Sequence, residues 1–171
     1  MCQSADLQLC DIYIAIGANL PGPQGQTAIF TCKAAVEALR SLNGLQLMAV
    51  SPWYETAPIP PGGPSYINGV AWLVGSIEPS ALLAALQRIE NLGGRARSVA
   101  NAPRTLDLDI IAMGQTIRHA PDPILPHPRA HLRRFVMQPL CDLRPDWVHP
   151  LLGKSAAVVL AELPEQGIRR L

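Results

Sequence analysis

Apolar positions along the chain repeat with two periods, two residues and about 3.6, and the places where the period changes predict the elements. Ile12 to Ile16 reads as a buried strand, closed by Gly17-Ala18-Asn19-Leu20 and a Pro/Gly stretch reaching Gly25. From about Gln26 to Leu42 the residues Ile29, Cys32, Val36, Leu39 and Leu42 keep helical spacing, and Asn43-Gly44 supplies the stop. Residues 45–51 suit a second strand, whereas 52–64, with five prolines and two glycines, reads as an irregular loop long enough to serve a function. A third strand over 66–74 carries Tyr66, Asn68, Val70 and Trp72 on one face. Pro79 opens a helix to about Leu92 with Leu82, Leu86 and Ile89 as its inner stripe, and Gly93-Gly94 ends it.

The pattern then returns to period two. Leu106, Leu108 and Ile110 alternate with Asp107 and Asp109 in a strand reaching about Met113. Residues 121–131 are rich in proline and histidine and carry no regular prediction. Residues 135–143 read as a helix interrupted at Pro139, 155–163 as a short amphipathic helix, and the remainder as a tail. Strand, helix, strand, strand, helix, strand is the βαββαβ order of an α+β, ferredoxin-like core. That plan puts both helices on one face of a mainly antiparallel sheet, leaves the other face for loops and ligand, and here adds a C-terminal extension.

Composition narrows the classes. The chain has 171 residues, 49% hydrophobic and 16% charged, with a net charge of +1, which suits one globular domain over 12–171 behind a loose leader over 1–11. Balanced charge gives no global attraction to nucleic acid or to an anionic membrane, so any cationic function is local. Cys2, Cys10, Cys32 and Cys141 show no paired spacing and read as reduced thiols. No apolar run approaches the ~20 residues of a membrane span and no signal-peptide pattern opens the chain, so a soluble, cytoplasmic protein is expected.

The candidate chemistry concentrates in Gly94 to Asp109. Arg95, Arg97 and Arg104 precede Asp107 and Asp109, two carboxylates on one strand face roughly 6.7 Å apart along the chain. A solvated strand face is the bland account of Asp-x-Asp. Aspartate is depleted in strands, however, and arginines lie beside it, so a divalent cation with phosphate oxygens held in guanidinium forks is the better reading. Gly17 allows close backbone approach to a ligand and serves a simple turn equally well. Asn68, on an otherwise apolar face, needs partners that either a ligand or a loop supplies. Gln87 and Glu90 share a helix face that solvent alone would explain. His127 and His131 are four apart, but Pro126 and Pro128 deny them a helical metal site.

Several stretches together resemble the 6-hydroxymethyl-7,8-dihydropterin pyrophosphokinase family. They are Tyr-Ile-Ala-Ile-Gly-Ala-Asn-Leu at 13–20, Tyr-Glu-Thr-Ala-Pro at 54–58, Tyr-Ile-Asn at 66–68, Gln-Arg-Ile-Glu at 87–90 and Gly-Arg-Ala-Arg at 94–97. Ala-Pro-Arg-Thr-Leu-Asp-Leu-Asp at 102–109, Leu-Pro-His-Pro-Arg at 125–129 and Arg-Phe-Val-Met-Gln-Pro-Leu at 134–140 complete the set. The resemblance implies transfer of pyrophosphate from ATP to the pterin hydroxymethyl group with release of AMP, using two Mg²⁺ ions at Asp107 and Asp109; a monomer is expected. It also implies catalytic roles for Arg95 and Arg104 beside both acids, with Arg97 auxiliary. Leu83, Gln87, Glu90, Ile110, His127 and Arg133 fall on the nucleotide side. The pterin would lie between Tyr66 and Phe135, with its edge toward Thr56, Ala57, Ile59 and Asn68.

The chain departs from the family at Ala100-Asn101-Ala102-Pro103-Arg104, where many members carry Arg-Trp-Gly-Pro-Arg. One loop arginine and a covering tryptophan are therefore absent. Ala57 and Pro128 are smaller variations. Two other classes compete: a metal-dependent transferase with a different acceptor, and a ferredoxin-like ligand-sensing or RNA-binding module, against which the lack of interleaved aromatic and basic residues argues.

Overall fold

The computed structural model describes residues 8–58, 61–94 and 105–171. Its centre is β1 (Cys10–Ala18), which pairs antiparallel with both β4 (Tyr66–Gly75) and β5 (Asp107–Met113). β2 (Leu45–Val50) and β3 (Tyr54–Thr56) share the far edge of β4, and β6 (Ile168–Arg170) extends the sheet from β3. The main path runs β5-β1-β4-β3-β6, with β2 beside β4. Ignoring the two three-residue strands, this is the expected ferredoxin-like order. Where neither β2 nor β3 lies opposite Val70, buried Ser51 fills the gap: its N–H donates to the Val70 carbonyl and its hydroxyl accepts from the Val70 N–H, both at 2.9 Å. Ser51 thus satisfies two backbone groups that an interrupted edge would otherwise leave unmatched.

Helices α1 (Ala28–Arg40) and α2 (Pro79–Leu92) cover one face. Thr27 caps α1 by accepting from the Phe30 N–H, and α2 has proline in its first turn and ends at Gly93, with Gly94 at φ +87°. Their inner stripes, Cys32, Val36 and Leu39 with Leu82, Leu86 and Ile89, pack on Ile12, Ile14, Ile16, Leu73, Leu108 and Ile110. Each large aliphatic side chain so buried contributes about 1.5–3 kcal/mol. Gly69 is required in this layer, because a Cβ there would stand 2.7 Å from the Trp53 ring.

The opposite face is not left wholly to loops. α3 (Arg134–Leu143) and α4 (Ala156–Glu162), both from the C-terminal extension, build a second core. Val136, Met137, Leu140 and Val159 pack there on Tyr13, Val70, Ile111 and Trp147. The Tyr13 and Trp147 rings meet edge to face at 5.9 Å. α3 runs through Pro139 without the expected interruption. One interior proline costs a helix about 3 kcal/mol, less than burial of three large apolar side chains returns.

Three boundaries differ from expectation. The irregular 52–64 segment contains β3, which pairs with β4, and the tail contains β6, which pairs with β3. The first strand starts at Cys10, so the end of the expected leader belongs to the sheet. There Asp11 accepts from Trp72 Nε1 at 2.8 Å, and Arg144 stacks over that indole. Residues 1–7 lie outside the described residues.

Candidate active site

The second face stays open at one end, where β1 finishes and β4 and β5 begin. The cause is a taper along β1: the side chains on this face run from the buried Tyr13 ring to Ala15 and then to Gly17, which has none. A Cβ on Gly17 would meet nothing nearer than Asn68 Oδ1 at 3.4 Å, so packing does not demand glycine there. What glycine provides is space. The result is a hollow of about 630 Å³, within the range of small-molecule sites.

Both candidate acids line it. Asp107 pairs across the sheet with Gly17 and Asp109 with Ala15, so each carboxylate stands opposite a residue with little or no side chain. A register shift in the β1/β5 ladder then leaves Ile111 as an extra residue. Its carbonyl accepts from the His127 N–H at 2.8 Å, which brings that histidine to the acids. His127 Nδ1 accepts from the Arg129 N–H at 3.1 Å, so in the neutral ring the hydrogen sits on Nε2, 3.7 Å from Asp109 Oδ2. Burial pushes the His127 pKa below its ordinary value, with Arg133 and Arg129 acting the same way and Asp109 opposing them. The ring is therefore neutral near pH 7 and stands beside the Asp109 carboxylate without cancelling its charge.

The other walls are polar in a different way. Asn68, only 6% exposed, donates from Nδ2 to Thr56 Oγ1 at 3.0 Å. Tyr66 enters from the start of β4 and Phe135 from the first turn of α3, with the Arg133 guanidinium 5.7 Å from the Phe135 ring centroid. Gln166, just ahead of β6, completes this side.

Of the residues singled out in the sequence, Thr56, Ala57, Tyr66, Asn68, Asp107, Asp109, His127, Arg133 and Phe135 all come together around the hollow. Leu83, Gln87, Glu90 and Ile110 do not line it. Leu83 and Ile110 pack in the core beneath α1 and α2, on the opposite face of the sheet. Glu90, expected on a helix face that meets solvent or nucleotide, is 2% exposed, and its Oε1 accepts the Leu108 N–H at 2.8 Å. It ties down the strand residue between the two acids. Ile59, Arg95, Arg97 and Arg104 lie outside the described residues. Arg129 and Gln166 were not foreseen: Arg129 sat in a matched motif without a role, and Gln166 had no local signal at all.

An antiparallel ferredoxin-like sheet, with two carboxylates and two aromatic rings around one open hollow, defines an α+β small-molecule-binding protein. Residues 13–145 match the family model for 7,8-dihydro-6-hydroxymethylpterin-pyrophosphokinase, and the chain belongs to that family. The 2-amino-4-hydroxy-6-hydroxymethyldihydropteridine pyrophosphokinase of Pseudomonas aeruginosa is 41% identical, over 94% of this chain and 96% of its own. The enzyme of the same name from Haemophilus influenzae is 39% identical, over 81% and 84%. The folic acid synthesis protein fol1 of Schizosaccharomyces pombe is 34% identical over 92% of this chain, which spans 21% of that longer protein. Among solved structures, wild-type Plasmodium falciparum HPPK-DHPS superposes with a TM-score of 0.69 at 13% identity, over 93% of this chain and 44% of the other. That likeness concerns the fold alone.

Proposed function

We propose that this chain transfers the terminal pyrophosphoryl group of ATP to the hydroxymethyl oxygen of 6-hydroxymethyl-7,8-dihydropterin, a step of folate biosynthesis, and releases AMP. The observation that carries the reading is the sharing of one hollow by an acid pair and by a slot suited to a flat polar heterocycle. Tyr66 and Phe135 offer ring faces for stacking, while the Asn68 amide, held by Thr56, meets the amide-like edge. This accounts for an asparagine inside an apolar strand face.

The acid end fits a hard divalent cation: its donors are carboxylates from one strand face, with room left for water and phosphate oxygens. Two Mg²⁺ ions held by Asp107 and Asp109 would neutralise charge on the polyphosphate as AMP leaves. His127 stands beside the Asp109 carboxylate, with Nε2 3.7 Å from Oδ2, and Arg133 lines the same hollow. We assign Arg95 and Arg104 to the phosphates as catalytic cations, with Arg97 auxiliary, and Gln87 to the nucleotide side, following the family motif. Thr56, Ala57 and Ile59 fall to the pterin edge on the same ground. Catalysis then consists of alignment and charge stabilisation, since attack on the β-phosphorus needs both substrates fixed in line.

Among the described residues no helix is long and apolar enough to cross a membrane. A cytoplasmic monomer, with 12–171 acting as one unit, is the setting we propose. Incubation with ATP, Mg²⁺ and the pterin alcohol is expected to yield AMP and pterin diphosphate in equal amounts; ADP as the nucleotide product would contradict the reading.

A further inference from the structure

Gln166 lies in a stretch with no predicted element, yet it is carried to the wall of the hollow by restraints on both sides. On one side Arg134 Nη1 donates to the Leu163 carbonyl at 3.2 Å, and Nη2 of the same guanidinium stands 3.5 Å from the Glu165 carboxylate. On the other, β6 pairs with β3 so that Ile168 is opposite Thr56, Arg169 bonds to Glu55, and the Leu171 N–H donates to the Trp53 carbonyl at 2.9 Å. Gln166 is thus held two residues from the partner of Thr56, whose hydroxyl anchors the Asn68 amide.

The Gln166 side chain is half-buried, and its amide makes no hydrogen bond to a described residue. An amide without a protein partner on the wall of a ligand-sized hollow is free to bond a ligand there. A carboxamide offers one acceptor oxygen and two N–H donors. A pterin edge, with its lactam and amino groups, offers the complementary set.

We propose that Gln166 is a specificity-determining contact for the pterin, adding the C-terminal segment to a binding slot otherwise built from β3, β4 and α3. The inference rests on the pterin reading and deepens it. A site that hydrogen-bonds a polar edge discriminates strongly against analogues lacking that edge. Gln166 therefore governs how well the intact heterocycle is told from a flat apolar ring, with no part in the chemistry at the acids.

The test is calorimetric titration of the full chain with 6-hydroxymethyl-7,8-dihydropterin, in the presence of Mg²⁺ and the unreactive α,β-methylene analogue of ATP. Wild type, Gln166→Ala and Gln166→Met are compared. Methionine preserves length and volume while removing the hydrogen bonds. Both variants are expected to bind the pterin about tenfold more weakly, the size of one or two neutral hydrogen bonds, with melting temperature and KM for ATP unchanged. Wild-type affinity in Gln166→Met, with a loss only in Gln166→Ala, would reduce the residue to a wall and overturn the proposal. Wild-type affinity in both variants overturns it equally. If wild type itself takes up no pterin, the functional reading fails and this inference falls with it; if wild type binds and the variants match it, the inference alone fails.

Discussion

Asp109→Ala is expected to lower turnover by about three orders of magnitude, roughly 4 kcal/mol of transition-state stabilisation, while leaving the fold intact. Asp107→Ala should behave alike. The size follows from what the acids are proposed to hold: without a cation at the polyphosphate, charge accumulating on the departing AMP has nothing fixed to meet it. The fold survives because neither carboxylate supports the core. Both side chains line the hollow rather than either core, and that of Asp109 is 37% exposed and faces Ala15 across the ladder. Rates of AMP release, read beside thermal melts, separate the two effects. Turnover near that of wild type in either variant would mean that the divalent cation is held elsewhere.

Glu90→Ala is expected to cost about 2–4 kcal/mol of stability and to slow turnover as well. β5 is an edge strand, and the N–H of Leu108 points out of the sheet toward Glu90 Oε1 at 2.8 Å. Removing the carboxylate strands a buried donor and leaves a gap between α2 and β5. Because Leu108 lies between Asp107 and Asp109, any shift of the strand moves both acids. A displacement near 1 Å in positioning groups can cost about a hundredfold in rate. Glu90→Gln retains an acceptor oxygen and most of the volume, so it should lose markedly less. Equilibrium denaturation with urea tests the first effect, and an alanine variant as stable as wild type would remove Glu90 from its anchoring role.

The periodic elements were legible because each carries its own signal. α2 occupies the stretch expected from Pro79 and the glycine pair, and α1 is trimmed by about two residues at each end, where Thr27 and Ser41 cap it. Alternation in β5 put Asp107 and Asp109 together and alternation in β4 put Asn68 with Tyr66, but that the two sets share one hollow followed only from the family resemblance and the pairing of both strands with β1. β3 and β6 could not be read, since three residues are too few for a period and β3 is placed by β4 and β6 by β3. Gln166 was invisible for the same reason.

The bulge at Ile111 depends on how β5 pairs with β1, so no local pattern announces the carbonyl that positions His127. The taper from Tyr13 to Gly17 is plain in hindsight. In the sequence, though, Ala15 belonged to a buried run and Gly17 to a turn, and nothing told that a cavity would stand over them. Glu90 was misread because helix spacing alone placed it with Gln87, while the edge of β5, not solvent, meets it.

The account turns on Asp107 and Asp109 jointly holding divalent cations against the phosphates of ATP. Titration with Mn²⁺, followed by electron paramagnetic resonance with the α,β-methylene analogue of ATP present, measures this without any turnover. Wild type is predicted to take up two ions per chain, and the double variant Asp107→Ala/Asp109→Ala to retain only what the nucleotide binds in free solution. Equal occupancy and equal spectra in the two proteins would contradict it.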